Sequence, residues 1–228
     1  MTYAIDAKRL AELQNISLAR GNNDPSGMEM CALEAAAYIA GEPWSDHPAC
    51  VCPVIAAFVR TWNDDLPANE RDRLLRPLIP RLVGTWSTPA MQLRRAFIAA
   101  DWALREAAPD ALDATGLGAL ARKLRALPEI VDRPTARAAA KAARATLPAL
   151  RTIATCAARA AAACAFTAVV ATYAATYNTT YISASAASAA SAVAASADAA
   201  AVAGDTYAVY ESARDMLVRM IEAGDTNV

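Results

Sequence analysis

Residues 160–197 form a run of 38 positions without a single charged side chain, and nearly half of them are alanine. Alanine is the strongest helix former and has no side-chain freedom to lose on folding. A helix of that composition is apolar all round, so it must be hidden against something. Its small side chains bury little area each, so it has to approach its neighbour closely. The whole chain shares the problem. Hydrophobic residues make up 56 %, above the ordinary 45–50 %, but only three Phe, seven Tyr and four Trp supply bulk. Three surfaces can hide the run: other helices of the same fold, a second copy of the chain, or a bilayer. The first is favoured, because alanine-rich helices gain most of their stability from tertiary packing. The second is compatible with it. In both, Phe166, Val169, Val170, Tyr173, Tyr177 and Tyr181 form the bulky seam. The third is the weakest: residues 160–182 are long enough to span, but Ala, Ser and Thr contribute little transfer energy and no aromatic and basic flank follows. Ser185, Ser188 and Ser191 recur every third residue, which drifts around a helix and marks no fixed face.

The rest of the chain reads as helices separated by proline and glycine. Ile5, Leu10, Leu13 and Ile16 predict a helix over 4–19, stopped by Gly21-Asn22-Asn23-Asp24-Pro25. Ser26 with Glu29 predicts a capping box opening a second helix, closed by Gly41 and Pro43. Pro53 suits a first helical position ahead of Val54, Ile55, Phe58, Val59 and Trp62. Pro77 and Pro80 predict a kink or two short helices ending at Gly84. Thr88-Pro89 reads as a cap followed by a first-turn proline. A short helix is predicted over 117–127 and a last one over about 206–222. Thr176–Ile182 has β-favouring residue types, but the spacing of Tyr173, Tyr177 and Tyr181 continues a helix. Composition shifts after Asp132-Arg133-Pro134. The expected fold is therefore all-α: a multi-helix N-terminal domain, 1–132, followed by an alanine-rich helical hairpin or bundle, 133–228.

Chemistry-bearing residues concentrate in Gly41-Glu42-Pro43-Trp44-Ser45-Asp46-His47-Pro48-Ala49-Cys50-Val51-Cys52-Pro53, which holds the single histidine. Three readings compete there. Cys31, His47, Cys50 and Cys52 make an N/S donor set suited to zinc, with Asp46 behind the histidine, although the spacing is not that of a zinc knuckle. Cys52 or Cys50 could act as a thiol nucleophile near a helix N-terminus, with His47 as base and Asp46 orienting it. The third reading, which is favoured, makes the cysteines small core residues and the histidine a loop-fixing hydrogen-bonder.

Other classes of function are disfavoured. A formal net charge of −1 gives no electrostatic case for nucleic acid. Thr115-Gly116-Leu117-Gly118 lacks the lysine that gives a phosphate loop meaning, and Arg94-Arg95 and Arg122-Lys123-Arg125 read as solvated helix faces. Five cysteines, odd in number and sparse, and a charged N-terminus without an apolar run point to a reducing cytoplasm.

Residues 30–84 also carry a resemblance. Met30-Cys31-Ala32-Leu33-Glu34-Ala35, Gly41 to Cys50, Trp62-Asn63-Asp64 and Leu78-Ile79-Pro80-Arg81-Leu82-Val83-Gly84 resemble words of a family of uncharacterised actinobacterial and phage proteins with alanine-rich C-terminal regions. The resemblance implies a domain boundary and a bacterial or phage origin, and no chemistry. The function expected is a non-enzymatic interaction or scaffold protein, self-associating or binding another protein through Phe166, Val170, Tyr173, Tyr177 and Tyr181. No cofactor is expected, zinc being the alternative.

Overall fold

Proline and glycine set the helix boundaries. In a computed structural model, residues 3–21, 23–25, 29–145, 179–203 and 206–224 are described. The order is α1 (Ala7–Leu13), β1 (Ser17–Leu18), β2 (Glu29–Met30), α2 (Ala32–Ala40), α3 (Pro53–Asp65) and α4 (Ala68–Leu75). A 3₁₀ turn (Arg76–Leu78) leads into α5 (Ile79–Leu82), and α6 (Pro89–Trp102) continues through a π turn (Ala103–Ala107) into α7 (Ala108–Ala114). Then come α8 (Gly118–Arg125), α9 (Arg133–Arg144), α10 (Thr179–Ala203) and α11 (Thr206–Glu222). The fold is all-α. Its one sheet among the described residues is a two-residue parallel pairing of β1 with β2.

Several boundaries fall where local chemistry puts them. Pro53 and Pro89 sit in the first turns of α3 and α6, and Thr88 Oγ1 accepts from the Met91 N–H (3.3 Å). Gly41 closes α2 at φ 73°, a left-handed conformation that other residues resist. Pro77 and Pro80 divide the 76–82 stretch into a 3₁₀ turn and α5. The π turn also has a local cause. Pro109 has no N–H to give the Arg105 carbonyl and its ring crowds that position. The preceding turn widens, and the Ala108 N–H bonds to the Ala103 carbonyl, five residues back.

Two expectations near the N-terminus are corrected. The first helix is half the predicted length: it ends at Leu13, and Ser17-Leu18 becomes a strand. The second does not open at Ser26. Glu29-Met30 pair with β1, and Cys31 caps α2, its Sγ accepting from the Glu34 N–H (3.4 Å) while Glu34 Oε2 accepts from the Cys31 N–H (2.7 Å).

α3 lies at the centre. Val54, Ile55, Phe58, Val59 and Trp62 are buried on one side, and Ala56 and Ala57 on the other. Its most extensive partner is α10, which also packs on α6, α7 and α11. The described part of the alanine-rich run is thus helix laid on helix. Ala186, Ala189, Ala190, Val193 and Ala197 are buried, and Ser196 Oγ donates to the Ala107 carbonyl (2.9 Å) at the end of the π turn. The buried cluster is continuous from Leu13 to Ile221 and crosses the compositional boundary near 133.

Buried polar groups tie the elements together. Arg71 donates from Nε to the Asn63 carbonyl (2.7 Å), from Nη1 to Leu18 (3.1 Å) and from Nη2 to Leu66 (2.7 Å). Asn63 in turn accepts from the Ala32 N–H (3.2 Å) and donates to the Ala19 carbonyl (2.8 Å). Trp102 Nε1 donates to Ser212 Oγ (2.9 Å), joining α6 to α11.

Close packing of alanine makes a size-sensitive interface. Ala190→Leu, at a fully buried position of α10, should cost about 1–3 kcal/mol through overpacking. Ala184→Leu, on the exposed side of the same helix, should stay within about 0.5 kcal/mol. Urea denaturation followed by circular dichroism distinguishes the two; equal effects would mean that α10 does not lie on α3 as described.

Candidate functional site

The stretch 41–53 forms the connection from α2 to α3 and divides its reactive groups between core and surface. Cys50 and Cys52 are fully buried, while the His47 side chain is 71 % exposed. Arg60, one turn from the end of α3, organises the outer part. Its Nε donates to Asp46 Oδ2 (3.2 Å), and its Nη2 donates to the Asp46 carbonyl (2.6 Å) and to His47 Nδ1 (3.0 Å). A guanidinium only donates, so Nδ1 is the acceptor and the neutral ring carries its proton on Nε2. Asp46 Oδ1 is 3.7 Å from Nε2, too far for a hydrogen bond. The one lone pair His47 could use as a base or metal donor is thus occupied by Arg60.

Cys31 and Cys50 sit in surroundings opposite to those of a nucleophile. Burial pushes Cys50 up to about 12, and the nearby Glu42 carboxylate adds to the shift. Burial likewise pushes Cys31 up to about 12, with the Glu34 carboxylate acting in the same direction. A catalytic cysteine needs an electropositive, accessible setting. The proposed donor set does not assemble either. Cys31 caps α2, His47 turns to Arg60, and among the described residues no group of three or more His, Cys, Asp or Glu side chains is placed to hold a metal. Of the association residues, Phe166, Val170, Tyr173 and Tyr177 lie outside the described residues, as does the side chain of Tyr181.

What the cysteine stretch does hold is a loop. The Cys50 carbonyl accepts from the N–H groups of Gly84 (3.0 Å) and Trp86 (3.2 Å), and the Cys52 N–H donates to Thr85 Oγ1 (3.1 Å). From the other side Arg95 Nη1 donates to the Thr85 carbonyl (2.6 Å) and to Ser87 Oγ (2.9 Å). Gly84 makes the turn at φ 83°. The result is a fixed loop, 84–88, that carries Trp86 with 59 % of its surface in solvent. Trp86 stands between two grooves. One, of about 430 Å³, runs past His47, Pro48, Pro53, Ala57 and Arg60; the other, of about 440 Å³, past Arg81, Thr88, Met91, Arg95 and Gly224.

Sequence reasoning missed Trp86 and Arg60, and its reading of Arg95 as part of a solvated helix face is corrected: the side chain is buried and bonded to the Met220 and Thr85 carbonyls. Only Trp86 left a signal: a tryptophan two residues after a helix-ending glycine, in a segment with no apolar periodicity to bury it. No family model, curated protein sequence or solved structure matches the chain. No helix among the described residues is long and apolar enough to cross a membrane.

The thiol environments make a direct prediction. A thiol with a raised folded value stays protonated through neutral pH. Its contribution to stability is intact below the free-thiol value of 9.0 and is lost as pH rises toward about 12. Native protein treated with iodoacetamide at pH 8 and mapped by mass spectrometry should therefore show Cys31 and Cys50 unmodified, and both modified after urea. Rapid native modification of Cys50 would restore the nucleophile reading.

Proposed function

We propose that the chain is a non-enzymatic helical interaction protein that associates with itself. The observation that supports this reading is the rigid presentation of Trp86. A large aromatic side chain more than half in solvent, on a loop pinned by five hydrogen bonds to Cys50, Cys52 and Arg95, is pre-organised as an anchor. Such an anchor loses little freedom on association, and tryptophan is among the side chains that dominate binding energy. The flanking groove has an apolar stretch at Pro48, Pro53 and Ala57, suited to a side chain of a second surface. The alanine-rich run is the second contributor, with Phe166, Val170, Tyr173 and Tyr177 as its bulky positions.

The enzyme reading is supported less well, since it needs a base and a nucleophile, and His47 and Cys50 are engaged or buried as described. The metal reading needs Cys31 released from its cap.

Sedimentation velocity over a range of concentrations tests the proposal. Wild-type protein should associate. Trp86→Glu should weaken association at least about tenfold, roughly 1.4 kcal/mol, with the thermal midpoint unchanged, because the position is exposed. Val170→Asp should weaken it as well. A wild-type chain that stays monomeric at every concentration overturns the reading.

A further inference from the structure

Arg95 is 2 % exposed, and its charge has no carboxylate partner among the described residues. Its bonds are to neutral groups. Nε donates to the Met220 carbonyl (2.9 Å), and Nη1 donates to the Thr85 carbonyl and Ser87 Oγ. Nη2 has no hydrogen-bond partner among those residues. The contrast is with Arg71, equally buried, whose Nε, Nη1 and Nη2 are each taken by a carbonyl. Burying a charge without a counter-charge is costly, so an open nitrogen on such a group is suited to receive an anion.

The surroundings fit one. Arg95 lines the 440 Å³ groove beside Trp86, and the mouth carries Arg81, which pairs with Glu222 (2.8 Å). The floor is the N-terminus of α6, a helix of 14 residues, where Thr88 and Ser87 place hydroxyls and the helix end favours negative charge. Gly224 closes the groove next to the open nitrogen: a Cβ there would lie 2.6 Å from Arg95 Nη2. The remaining wall, Val83, Trp86, Met91 and Ile221, is apolar.

We propose that this groove binds a small organic oxyanion, its carboxylate or phosphate oxygens on Arg95 Nη2 and the Thr88 hydroxyl and its apolar body against Trp86. With Nε and Nη1 already engaged, the guanidinium offers one nitrogen rather than a fork, so the helix end and the hydroxyls complete the contact. The anion contacts at Arg95 and Thr88 do not depend on association, whereas Trp86 is shared with the proposed association surface.

Calorimetric titration of the full chain with inorganic phosphate, benzoate, phenyl phosphate and benzyl alcohol tests it. Saturable binding of the anions and none of the neutral alcohol is expected. The order among the three anions identifies the head group, and phenyl phosphate should exceed inorganic phosphate through Trp86. Gly224→Ala, which puts a methyl group against Nη2, should weaken anion binding about tenfold or more. Trp86→Ala, at an exposed position, should weaken phenyl phosphate and leave inorganic phosphate unchanged. No saturable binding of any anion at millimolar concentration overturns the proposal. So does a folded Gly224→Ala variant that binds as wild type; if that variant unfolds, an unaltered affinity for phenyl phosphate in Trp86→Ala does the same.

Discussion

Short helices leave many backbone carbonyls without an intrahelical partner, and in this fold guanidinium groups take them up. α1 and α7 have seven residues each and α5 has four, so a large share of their carbonyls lie in final turns. Arg71 collects three carbonyls from β1 and the end of α3. Arg76 takes those of Leu13 (2.6 Å) and Ile16 (2.6 Å), and Arg9 takes that of Tyr38 (2.9 Å). Arg60 fixes Asp46, and Arg95 fixes Met220 and Thr85. Buried carbonyls must be satisfied, and a planar five-donor group reaches several at once. The arrangement decides where the loops lie and hence where Trp86 stands. It also explains why charge counting says little about this surface: several of the 22 basic residues are interior fasteners.

Alanine solves the complementary problem of bringing helices close. α3 is buried nearly all round, and α10 reaches it without large side chains because Ala186, Ala189 and Ala190 leave the backbone room. Bulk is then supplied from the other partners: Trp62 and Phe58 of α3, with rings 5.5 Å apart, and Trp102 of α6. Few aromatics suffice when they sit at helix junctions.

The parts of this fold that were legible in the sequence are those where one residue type has one strong preference. Pro53, Thr88-Pro89, Gly41 and Gly84 mark ends that the structure reproduces, and α11 spans Thr206–Glu222 as its pattern indicates. The misreadings arose where a side chain acts outside its usual habit. Cysteine is a weak acceptor, so Cys31 followed three residues later by Glu34 did not look like a capping box, while Ser26 with Glu29 did. A two-residue strand has no periodicity to detect. In the candidate site, two of the three readings joined His47, Cys50 and Cys52 in one function because they are close in sequence. The connection to α3 turns them to opposite sides, and the partners that matter, Arg60, Thr85 and Arg95, come from elsewhere in the chain.

The widened turn at Ala103–Ala107 amounts to one surplus residue in an otherwise continuous rod running from Pro89 to Ala114. Winding the same residues as ordinary α-helix would instead rotate everything downstream by about 100°. The buried face of α7, with Leu112, would swing away from α10, and Ala107 would lose its link to Ser196. The insertion therefore sets the phase of the C-terminal half of the rod. It is tolerated, despite poorer local bonding, because every contact beyond it is built to that offset.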